Sequence, residues 1–135
     1  MSRTDFLLSF TDADGYRLVR VGIPEFVDIT RLSVAASKYL SMFVDDRPMV
    51  VLNDATELQE LPQPVQDVLI AMLRRNVTRP TFVGSAWITR GDEPLDGLLR
   101  EILVIADRDP DSIFRTEEEA MSYLRGLLDQ YEPPD

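Results

Sequence analysis

Two periodicities alternate along this chain. Short apolar runs of strand length are separated by longer stretches in which apolar residues recur every three and four positions, the spacing of one helix face. Residues 5–11 and 15–23 flank Asp12-Ala13-Asp14-Gly15, an Asp-rich turn ending in a glycine that tolerates positive φ, which predicts a β-hairpin. Pro24 closes it, and Asp28 or Thr30 can cap a helix over 31–44 whose inner face carries Leu32, Ala35, Ala36, Tyr39, Leu40 and Phe43. Asp45-Asp46-Arg47-Pro48 stops that helix, because a residue preceding proline is steered away from helical dihedrals. Met49-Val50-Val51-Leu52 then predicts a strand buried on both faces.

A second helix begins at Pro64 with a stripe of Val65, Val68, Leu69, Met72 and Leu73, and Arg74 and Arg75 sit in its last turns, where cations suit the dipole. Residues 81–89 predict the next strand. Asp92 and Pro94 open a third helix with Leu95, Leu98, Leu99, Ile102 and Leu103 inward, and 112–115 form a short strand. Thr116-Glu117-Glu118-Glu119 reads as a capping box for a last helix that buries Ala120, Leu124, Leu127 and Leu128. The order β-β-α-β-α-β-α-β-α predicts an α/β fold: a single mixed, mainly parallel sheet with right-handed crossovers and the hairpin as its antiparallel edge. At 135 residues there is room for one domain, expected over 1–130, with 131–135 a frayed tail.

Composition removes whole classes of chemistry. There is no cysteine, hence no disulfide, thiolate metal site or cysteine nucleophile, and no histidine, hence no Ser-His or Cys-His pair. An enzyme would have to rely on carboxylates or on Lys38, the single lysine, which lies opposite its helix's apolar stripe; a non-enzymatic role is expected, with no cofactor and no metal. With 24 acidic against 14 basic residues and a net charge of −10, the chain repels phosphate backbones and anionic lipid surfaces, so neither nucleic acid nor membrane insertion is expected. Apolar runs stay short of 18 residues, and Met1-Ser2-Arg3-Thr4-Asp5 does not read as a secretory leader, so the expected location is the cytoplasm. No glycine-rich phosphate loop is present, since Gly91 and Gly97 stand alone.

Three stretches, Met49-Val50-Val51-Leu52-Asn53-Asp54, Thr81-Phe82-Val83-Gly84-Ser85-Ala86-Trp87 and residues 113–124 (with Ala120, Tyr123 and Leu124 after a Phe-containing strand and an acidic run), together with the element order, resemble the STAS superfamily, in particular its small SpoIIAA-like branch. The resemblance implies a non-enzymatic regulatory module similar to anti-sigma factor antagonists, working through a protein partner. Those antagonists carry an Asp-Ser-Ser-Gly type of phosphorylation motif after a central strand. The corresponding stretch here is Asn53-Asp54-Ala55-Thr56-Glu57, where only Thr56 offers a hydroxyl.

The candidate partner surface is accordingly Asp54, Thr56 and Glu57, or the third helix, whose Leu98 and Val104 exceed one apolar stripe and suit a partner or a homodimer. Acidic charge would steer encounter with a basic partner. The alternative is a carrier or sensor of a small apolar, lipid-like ligand held between Ser85 and Trp87, which alternate onto one strand face, and Ile102 of the third helix. The acids at 107, 109 and 111, with Glu118 at the twelfth position, imitate a calcium loop, but Ser112 stands where that loop needs glycine, and a solvated loop is the better reading. Asp45-Asp46 and Glu117 to Glu119 read as solvated charges at element ends.

Overall fold

A computed structural model describes residues 3–13, 15–44, 46–76 and 79–132. The hairpin joins β1 (Leu7–Ala13) to β2 (Tyr16–Gly22), antiparallel from Leu7↔Gly22 to Ala13↔Tyr16. Gly15 takes φ +82°, the left-handed conformation that so short a connection demands; Asp14 of the same turn lies outside the described residues. The chain continues through α1 (Ile29–Leu40), β3 (Met49–Asp54), α2 (Gln63–Asn76), β4 (Phe82–Ile88), α3 (Glu93–Ile105), β5 (Ile113–Phe114) and α4 (Glu117–Gln130).

All five strands form one sheet in the order β1-β2-β3-β4-β5, with every pairing after the hairpin parallel. Because each crossover steps the same way along the sheet, the right-handed rule places α1, α2 and α3 on one face. Their apolar stripes pack there with Val19, Val51 and Trp87, while the next residues along the strands, Leu18, Val50, Leu52, Ala86 and Ile88, turn to the opposite face and meet α4. β3 is covered on both sides, as its unbroken apolar run predicts.

Several boundaries differ from the sequence reading, each for a local reason. α1 stops at Leu40 because the Met42 and Phe43 amides reach back only three residues, to Tyr39 and Leu40; this tightened exit swings Met42 into the core. Asp45, in the turn beyond, lies outside the described residues. β3 runs on through Asn53 and Asp54, since both neighbouring strands continue to pair with it. Asp28 caps α1 by accepting the Arg31 amide at 2.8 Å. At α4 the Thr116 hydroxyl oxygen accepts the Glu119 amide at 3.2 Å, but it is the Thr116 hydroxyl that donates to the Glu119 carboxylate, so the box closes side chain to side chain. In α3, Leu98 turns inward against the core, whereas Val104 is 61% exposed. Tyr131, read as tail, donates its hydroxyl to the Pro80 carbonyl at 3.0 Å, and 133–135 lie outside the described residues.

Leu124 is completely enclosed between α4 and the sheet. Truncation to alanine is expected to cost about 2–5 kcal/mol, the range for a buried leucine, read as a lower urea midpoint with an unchanged m-value. A loss under about 1 kcal/mol would show that α4 is not the load on which that face depends.

Candidate functional site

In open α/β sheets, ligands and partners are recognised where parallel strands end at their carboxyl edge. Here that edge holds a polar cluster built on Asp54, the last residue of β3. One carboxylate oxygen of Asp54 accepts both the amide (3.0 Å) and the hydroxyl (2.7 Å) of Thr56, a side-chain-closed turn that stops the strand. Its other oxygen pairs with the guanidinium of Arg3 at 2.7 Å. Arg3 also pairs with Glu57 at 3.0 Å, donates its own amide to that carboxylate, and donates to the Ile23 and Asp54 carbonyls. Arg90, just past β4, donates to the Thr56 carbonyl at 3.1 Å and to Gln59. Asp54, Thr56 and Glu57 are therefore brought together, each half-buried and flanked by two arginines. Burial pushes the Asp54 carboxyl up, but the Thr56 hydroxyl and amide and the Arg3 guanidinium outweigh it and hold the group below its ordinary value.

Leu98 and Val104 do not join this cluster. A crossover helix runs back against the strand before it, so Val104, near the end of α3, lies toward the opposite edge of the sheet. Beside it Ile105 is also exposed.

Ser85 and Trp87 share the inner face of β4, both buried, and form the floor of a half-open pocket of about 80 Å³. Its roof is α1 and α2, through Leu32, Tyr39, Leu69 and Asn76, instead of α3. Ile102 is buried in the core but is not part of that wall. The correction follows from the strand order: β4 lies inside the sheet, so the helix entering it roofs Trp87, while α3 leaves it for the edge strand.

Residues 107–111 do not build a calcium loop. Asp109 spends one oxygen on the Tyr123 hydroxyl (2.7 Å) and the other on the Asp111 amide (2.8 Å). Among the described residues no three acidic side chains converge as metal ligands. Glu117 pairs with Arg20, and Asp46 with Arg47 at 3.6 Å, in keeping with solvated element ends. Also among the described residues, no helix is long and apolar enough to cross a membrane.

Sequence reasoning missed Arg3, Arg90 and the buried Asp96. The first two act through contacts 51 and 34 positions away, which no local pattern signals.

No protein-family model and no curated protein matches this chain. A solved structure does: an anti-sigma factor antagonist from Mycobacterium paratuberculosis, with a TM-score of 0.58 over 93% of this chain and 99% of that one. The two chains share one fold. At 15% identity the likeness to that antagonist is one of architecture, and it agrees with the resemblance carried by β3, β4 and the β5–α4 junction.

Because the folded Asp54 has a pKa below its ordinary value of 3.8, it contributes stability that is full above that value and lost as pH falls through the lower, folded one. Asp54→Asn is expected to lower stability at pH 7 by about 1 kcal/mol, as suits a partly exposed pair, and to reduce the loss between pH 5 and pH 2. Identical acid limbs for the two proteins in urea titrations would remove Asp54 from this account.

Proposed function

We propose that this chain is a non-enzymatic, cytoplasmic regulatory module that docks a protein partner on the cluster of Asp54, Thr56 and Glu57. One observation carries the reading: the two carboxylates already hold a guanidinium, that of Arg3, in ion pairs of 2.7 and 3.0 Å. A surface that binds one arginine from its own chain offers the same chemistry to an arginine or lysine of a partner. The net charge of −10 steers such a basic partner toward it. A similar structure is named for its action on another protein, an anti-sigma factor, which accords with docking as the mode of action.

Covalent switching by phosphate is not required by this reading. Ala55 and Thr56 stand where the motif has its two serines, and the one hydroxyl there, that of Thr56, is committed to Asp54. Self-association through Val104 and Ile105 of α3 is proposed as a companion property.

The test is native mass spectrometry of the protein purified gently from its own host, beside the Asp54→Ala and Glu57→Ala double variant. The expected result is a second protein mass on the wild type that is at least about tenfold depleted on the variant, as loss of charge-assisted contacts implies. Equal recovery on both proteins, or a bare chain, overturns the assignment. For the companion property, Val104→Glu is expected to halve the sedimentation mass, and an unchanged mass overturns it.

A further inference from the structure

The half-open pocket beneath α1 and α2 has a polar wall on which buried donors are poorly satisfied. The Trp87 indole N–H, in a residue 3% exposed, has no hydrogen-bond partner among the described residues, and the Tyr39 hydroxyl, in a residue 7% exposed, has Asn76 beside it but no well-formed hydrogen bond. Both residues line the space. Behind the same wall are two arginines. Arg108 donates one nitrogen to the Ser85 hydroxyl at 3.3 Å and leaves its other terminal nitrogen buried and unpartnered; Arg79 leaves its Nε likewise. Burial pushes the Tyr39 hydroxyl up, and both guanidiniums lie close enough to pull it back in part.

No ion pair among the described residues neutralises either arginine. Of the carboxylates flanking Arg108 in sequence, Asp109 is spent on Tyr123 and Asp111, and Asp107 is exposed and makes no ion pair with it. What the guanidiniums do have is aromatic support: Arg79 lies 4.4 Å from the Phe43 ring centre, and Arg108 lies 4.5 Å from that of Phe82. Stacking occupies a guanidinium's face and leaves its N–H edge for an acceptor. Buried donors without acceptors cost free energy, so their concentration at one wall calls for an occupant.

Apart from the amides of Asn53 and Asn76, the remaining walls are apolar, from residues such as Phe6, Leu8, Ile23 and Leu69, and a lobe of about 30 Å³ adjoins. Ser85 also lines an outer cleft of about 270 Å³ that contains Arg108 and Tyr123 together with Asp107 and Asp109, so one residue separates the apolar space from the Arg108 guanidinium. We propose that this is a binding site for a small carboxylic acid with an apolar body of about four or five carbons, fewer than the six of the ring that fills a cavity of about 150 Å³. Its carboxylate faces Arg108, Ser85 and Tyr39, and its body lies over Trp87. The site is separate from the Asp54 surface, and neither reading depends on the other.

Trp87 is the single tryptophan, so its emission reports occupancy directly. Hexanoate is expected to change that emission saturably, hexanol to bind at least about tenfold more weakly for want of the charge, and acetate to leave the emission unchanged for want of the body. Arg108→Met is expected to bring hexanoate down to the affinity of hexanol and leave hexanol where it was. Tyr39→Phe is expected to weaken hexanoate a few-fold, with far-UV circular dichroism confirming that each variant is folded. Equal binding of hexanoate and hexanol by the wild type, a response to acetate as strong as to hexanoate, or no response to any of the three overturns the proposal, whether or not the variants fold.

Discussion

Strand order governs this molecule. With five strands laid down consecutively across the sheet and crossovers held to one hand, α1, α2 and α3 are forced onto the same face, and α4 is left to cover the other. One face therefore has a three-helix roof, within which small mismatches between helices leave internal space. The other has a single helix laid across β3 and β4, close enough that a Cβ added at Gly84 would meet Leu127 at 2.5 Å. The carboxyl edge of the parallel strands collects Asp54, Thr56 and Glu57. The Arg108 loop, between α3 and β5, is the return from a crossover and so belongs to the other edge.

Ion pairs fasten this framework at its seams. Asp96 in α3 is fully enclosed and accepts from Arg115 at 2.6 Å, joining the start of that helix to the β5–α4 junction. Arg115 lies against Gly91, whose φ is +87° and where a Cβ would meet the guanidinium carbon at 2.8 Å, so glycine serves there both as a turn and as room for a side chain. A buried carboxylate is costly to desolvate and is tolerated when paired, so this contact specifies where α3 begins more than it adds to stability. Arg3 does the corresponding work at the opposite seam, tying the leading segment to the ends of β2 and β3.

The fold was legible because its signals are local: periodicity in α1 to α4, a turn glycine at 15, a cap at Thr116, an apolar run at 49–52. Element ends were less so. The early stop of α1 depends on where Met42 finds a place in the core, and the extension of β3 depends on neighbours far off in sequence. Of the site, Asp54, Thr56 and Glu57 were visible as a strand end followed by a turn, whereas their partner Arg3 lies 51 positions away. Trp87 and Ser85 were correctly paired on one face by strand alternation, but which helix roofs them is a matter of topology, not of spacing. Arg108 was hidden inside a run of aspartates that invited a calcium reading.

The single-helix cover has a consequence for how the chain comes to be finished. Leu18, Val50, Leu52, Ala86 and Ile88 form a continuous oily plane that, among the described residues, α4 (Glu117–Gln130) shields. A chain emerging from the ribosome completes five strands and three helices before that shield exists, and throughout the interval it presents the plane to whatever is nearby. Such a nascent chain is a client for holdases, and a protein cut or mistranslated before residue 117 would be cleared as damaged despite an otherwise complete three-helix side.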